Sequence, residues 1–111
     1  MNYAVYIDVG NKTEIVKLPK YNNVRYYAFY EKNQIDNIKC EPGTKIKRIR
    51  CEHEGKQYLD CKLIDFFLKR INTKDTFHCI VSKDGGYDKF INFVNKKNGN
   101  ICKRLQDLNG F

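Results

Sequence analysis

The chain has 111 residues, 41% hydrophobic and 14% aromatic, with 21 Lys and Arg against 13 Asp and Glu for a formal charge of +8. That is the size of one domain, 1–111, with enough apolar side chains for a core, and every apolar run falls far short of the roughly 20 residues a membrane helix needs. Asp8 interrupts the first apolar stretch before a cleavable leader could develop, so a soluble protein in the cytoplasm is expected.

In chain order, Tyr3 to Asp8 is a short apolar run suited to a strand, and "VRYYAFY" at 24 to 30 is a second, rich in aromatic residues. "KIKRIRC" at 45 to 51 alternates, so Ile46, Arg48 and Arg50 cannot share a face with Lys47, Ile49 and Cys51; it reads as an outer strand. From Gln57 to Ile71 the spacing shifts towards 3.6, with Leu63, Ile64, Phe67 and Ile71 on one stripe and Asp60 at its head. "TFHCIVSKD" at 76 to 84 is apolar on both faces for most of its length, as a central parallel strand would be. "GYDKFINFVNKKNG" follows as a helix with Phe90, Ile91 and Val94 at helical spacing and Gly99 as its C-cap, and a short strand around Asn100 to Leu105 closes the pattern. Strands alternating with helices at this spacing predict an α/β sandwich with a largely parallel sheet. Cys40, Cys51, Cys61, Cys79 and Cys102 are odd in number, form no CxxC pair, and with His53 and His78 lack zinc-site spacing, so most are expected in the core.

A parallel sheet delivers all its strand carboxyl ends to one edge, where sites assemble. Asp8 and Asp84 end strands there, and Asp60 and Asp88 begin helices there. Each helix-start acid has an ordinary explanation, a carboxylate favoured by the helix dipole. Four together repel unless a cation neutralises them, and oxygen donors without His or Cys favour Mg²⁺ or Mn²⁺. Acids gathered on a basic chain point to metal-assisted hydrolysis of a phosphodiester, with lysines and arginines holding the nucleic-acid backbone. The loop after Asp8 could instead suggest a phosphate cradle of the sugar-kinase and actin-like type, but that architecture needs two similar domains.

"IVSKDGGYDKFI" at 80 to 91 strongly resembles the SKDxGYDxLI signature of the bacterial PIN-like (PIN/NYN superfamily) ribonucleases. "IDVGN" at 7 to 11, "FYEKN" at 29 to 33 and "LDCKL" at 59 to 63 match further segments of that family in order and spacing. The resemblance implies a PIN-like three-layer sandwich and a metal-dependent endoribonuclease. Its Mg²⁺ or Mn²⁺ would be held by Asp8, Asp60, Asp84 and Asp88, with Asn11 as a supporting polar group and RNA as substrate. Lys12, Lys83, Arg48 and Arg50 are the candidate phosphate contacts. The family's glutamate two residues after the first aspartate is Gly10 here, which opens the alternative of a catalytically impaired module that binds RNA or a protein partner. Self-association as a homodimer is a further property the resemblance suggests.

Overall fold

The structure, a computed structural model, describes residues 1–9, 16–31, 38–52 and 56–108. Seven strands and two helices follow one another: β1 (Asn2–Asp8), β2 (Val16–Leu18), β3 (Val24–Tyr30), β4 (Ile38–Cys40), β5 (Ile46–Arg50), α1 (Lys56–Leu68), β6 (Thr76–Val81), α2 (Tyr87–Asn98) and β7 (Cys102–Leu105). Five strands form one sheet in the order β5-β3-β1-β6-β7, and β2 pairs with β4 in a separate two-stranded sheet. Every pairing is parallel. The fold is therefore α/β with an all-parallel five-stranded sheet, as the alternation of elements predicts.

Two apolar clusters flank the sheet. On one face Tyr6, Tyr27, Phe29 and Ile49 meet Leu59, Leu63 and Phe67 of α1 and Tyr87, Ile91 and Val94 of α2. On the other, Val5, Ile7, Tyr26, Ala28 and Val81 meet Leu18 of β2 and Ile38 of β4. Because successive residues of a strand point to opposite faces, interior strands buried on both sides must be apolar nearly throughout, as β1 and β6 are. β5 obeys the expected alternation: Ile49 and Cys51 join the helix-side cluster while Ile46 packs on the other.

The differences from expectation lie at the ends and in the middle. β1, not β6, holds the centre of the sheet, and β5 is an outer strand as expected. α1 stops at Leu68, because Arg70 N–H turns back to the Phe67 carbonyl at 2.9 Å and Thr73 N–H to that of Arg70 at 3.1 Å. α2 ends where Gly99 takes φ +83°, a conformation that suits glycine and confirms it as the terminator. β2 and β4, three residues each, have no counterpart in the predicted elements; runs this short carry no legible period. Among the described residues, no helix is long and apolar enough to cross a membrane.

Candidate functional site

Parallel strands place the carboxyl ends of β1 and β6 side by side, with Ile7 of β1 in register with Val81 of β6. Asp8 is therefore one residue beyond that pair on β1, and Ser82 one residue beyond it on β6. Asp8 lies on the helix-covered face with Ala4 and Tyr6, four and two residues before it, and is only 4% exposed. A buried carboxylate requires donors. Ser82, 3% exposed, gives its hydroxyl to Asp8 Oδ2 at 3.2 Å and accepts the Asp84 N–H on the same Oγ at 3.1 Å. Asp84 in turn accepts the Gly86 N–H at 2.9 Å, which shapes the turn into α2. A side chain at Gly86 would sit 3.0 Å from Asp84 Oδ1, so the glycine leaves that carboxylate its room.

Tyr87, the first residue of α2, links that helix to α1 through Asp60. Its hydroxyl donates to Asp60 Oδ1 of α1 at 2.7 Å, a short charge-assisted bond. Burial raises the Tyr87 pKa far above the usual phenol range, and the negative charges of Asp8, Asp60 and Asp84 and the Asp60 hydrogen bond raise it further. Of the predicted acids, Asp60 of α1 touches this hydroxyl, while Asp8 of β1 and Asp84 of the β6–α2 turn bear on it through their charge. That hydroxyl stays protonated, a permanent donor among carboxylates.

Asp88 has a different partner. Arg104 of β7 grips it with Nε to Oδ1 at 2.8 Å and Nη2 to Oδ2 at 3.3 Å, and its Nη1 reaches the Ser82 carbonyl at 3.0 Å. The Arg104 hydrogen bond, aided by its charge, holds the Asp88 carboxyl below the usual carboxylate range. With the Asp88 side chain 52% exposed, this pair forms a rim to the site and ties it to the buried network at Ser82.

The other predicted contacts divide. Lys83 is exposed in the turn between Ser82 and Asp84, and Arg50 is exposed at the carboxyl end of β5. Arg48 shares its face with Ile46, opposite the helices, and donates to Cys40 Sγ at 3.3 Å, so it lies away from the acids. Asn11, Lys12 and Gly10 fall outside the described residues, as does His53. His78 is buried under Tyr6, and the described cysteines are free thiols.

Sequence reasoning missed Ser82, Tyr87 and Arg104 as parts of the site. Tyr87 was visible in "SKDGGYD", but nothing local distinguishes a hydroxyl aimed at an acid from an aromatic core residue. Carboxylate oxygens as a class are donors that suit a hard dication rather than zinc. Among the described residues no group of three or more His, Cys, Asp or Glu side chains is arranged to hold a metal ion. No protein-family model, curated protein or solved structure matches the chain.

Proposed function

We propose that the protein is a metal-dependent endoribonuclease on a PIN-like three-layer sandwich, its site being the acidic carboxyl edge of the sheet. The observation that carries this reading is the hydrogen bond from Tyr87 to Asp60, on a hydroxyl that also feels the charges of Asp8 and Asp84 from two other elements. Structural ion pairs also perturb titrations, but here neutral hydroxyls donate to both Asp8 and Asp60. Asp8, Asp60 and Asp84 would hold Mg²⁺ or Mn²⁺, which when bound supplies an activated water and offsets charge on the phosphate.

The chain's own residues then have distinct tasks. Ser82 fixes the Asp8 carboxylate, the Gly86 N–H fixes Asp84, and Tyr87 orients Asp60. Asp88, engaged by Arg104, serves as a positioning residue at the rim. Lys83, exposed in the turn before Asp84, would meet a phosphate, and the +8 charge favours RNA as partner.

Cleavage of a structured RNA with Mn²⁺, with and without EDTA, tests the reading. Activity is expected to need the metal and to vanish in Asp84→Asn; equal product from that variant would refute it. A second reading is favoured by the donors already committed to each acid and by Gly10: a module that binds RNA without cutting it. It predicts salt-sensitive RNA binding, no cleavage, and no thermal stabilisation by Mn²⁺. Activity created by Gly10→Glu would mark a lapsed enzyme.

A further inference from the structure

The opposite edge of the sheet carries a second feature that the acidic site does not use. A cavity of about 390 Å³ opens at the amino ends of β1 and β3, lined among others by Asn22, Asn23, Arg25, Tyr27, Lys45 and Arg70. Arg25, Tyr27, Lys45 and Arg70 also line an adjoining depression, together with Ile46 and Lys47. No Asp or Glu stands among the residues lining either. Three cations therefore front both hollows, with a fourth at one of them.

Their placement follows from the strands. Arg25, two residues before Tyr27 on β3, shares the helix-side face, and Lys47 shares it with Ile49 on β5. Arg70, in the turn after α1, sits over Phe66 with its guanidinium carbon 3.4 Å from the ring centroid and 5.3 Å from that of Tyr27. Its Nη1 also donates to the Phe66 carbonyl at 3.3 Å, so two aromatic rings and a carbonyl hold the fork in place. Lys45 Nζ is tethered to the Asn22 carbonyl at 3.2 Å, which spends one of its three donors. Among the described residues, neither Arg25 nor Lys47 takes part in an ion pair.

Unneutralised cations gathered in a hollow repel one another, and an anion removes that cost. The carbonyl end of α1 opposes an anion, but its field fades within one turn and the Arg70 guanidinium already answers the Phe66 carbonyl. Asn2 adds a neutral side-chain donor to the lining, whereas the Thr73 and Thr76 hydroxyls already donate to the Arg70 and Lys74 carbonyls, and the volume lies within the roughly 300–1,000 Å³ usual for small-molecule sites. A planar guanidinium backed by aromatic rings and flanked by lysines matches the oxygens of a phosphate.

We propose that this amino-edge cavity is a binding site for a phosphate monoester of nucleotide size, with Arg25, Lys45 and Arg70 holding the phosphate. The strand length separates it from the acids by about 20 Å, so it stands whether or not the acidic edge cleaves RNA.

The test is titration of the full chain with AMP, followed by calorimetry and by amide shifts in ¹⁵N-labelled protein at low salt. Saturable binding is expected, with shifts centred on Arg25, Lys45 and Thr73. The exposed pair Arg25→Gln/Lys45→Gln should weaken binding at least tenfold, while the equally charge-reducing pair Lys96→Gln/Lys97→Gln on α2 should leave it within twofold. Inorganic phosphate should compete with AMP, and adenosine should not. A 5′-phosphorylated oligoribonucleotide that competes where its 5′-hydroxyl counterpart does not would identify a strand end as the source; AMP alone competing would identify a free nucleotide. Absence of saturable AMP binding, or equal losses in the two double variants, would overturn the proposal.

Discussion

Replacing Tyr87 by Phe asks whether the carboxylates share one environment. The ring keeps its packing, and the change removes only the hydroxyl that donates to Asp60 Oδ1 at 2.7 Å. A hydrogen bond to a charged acceptor contributes about 1.5–3 kcal/mol. Asp60 is half-buried, so water can reach it once the hydroxyl is gone, which places the cost at the lower end, about 1.5–2 kcal/mol. For a chain of this length that corresponds to a fall of about 6–8 °C in Tm. Urea denaturation at pH 7, followed by circular dichroism, should be run on Tyr87→Phe, Asp60→Asn and the double variant. Asn is a neutral acceptor, so in its background the Tyr87→Phe cost should shrink by roughly 0.5–1 kcal/mol, the coupling expected of directly bonded residues. A Tyr87→Phe protein within about 0.5 kcal/mol of the parent, or the same cost in both backgrounds, would refute the charge-assisted bond from Tyr87 to Asp60 on which that shared environment rests.

Other expectations follow from the same geometry. His78 is buried against the Tyr6 hydroxyl, which meets Nδ1 at 2.9 Å, and burial lowers its pKa, so the folded protein keeps it neutral while the unfolded chain takes up a proton below about 6.5. Its contribution is complete above that pH and is lost as the pH falls; the urea midpoint should decline from pH 7 to 5.5, and less steeply in His78→Gln. Arg104→Gln should raise the Asp88 pKa towards its ordinary value, read from the carboxyl carbon in an NMR titration, since the lowering comes chiefly from that guanidinium. Because the parent's depressed pKa stabilises the fold above the carboxylate range and loses this effect on acidification, the variant should also show a weaker acid dependence. Gly86→Ala fits the local φ of −61° yet crowds Asp84 Oδ1 at 3.0 Å, so stabilisation by Mn²⁺ should drop severalfold while Tm without metal moves by less than about 3 °C. An unchanged metal response would detach Asp84 from the proposed site.

The order of strands and helices was legible because each long element has a clear period, two for β5 and near 3.6 for α2. Parallel strand direction then brings Asp8 and the Asp84 turn to one edge, with Asp60 delivered by α1 and Asp88 by the first turn of α2. The partner of Asp88 was not legible. Asp88 is turned to Arg104, which sits on a four-residue strand, "CKRL", too short to reveal its register or its facing. Repulsion among acids was also judged by charge alone, whereas a serine hydroxyl, a tyrosine hydroxyl and a backbone N–H also answer them here. Arg48 illustrates a related limit: alternation shows which residues share a face of β5, but with apolar layers on both sides it does not show which face meets the helices. The cavity at the amino edge left no motif at all, since Arg25, Lys45 and Arg70 come from three distant segments and meet only through β3, β5 and the turn after α1.

The two outermost strands have a bearing on solubility. β5 carries Lys47, Arg48 and Arg50, and β7 carries Lys103 and Arg104, whereas β1 and β6 have no lysine or arginine. A strand at the border of a sheet is a template on which another copy could polymerise, and the row of like charge on β5, with Lys103 on β7 beside an Arg104 already paired with Asp88, makes such stacking unfavourable. That protection is electrostatic: at 1 M salt, where screening acts over about 3 Å, it fades, and fibril formation would be expected to begin along these margins.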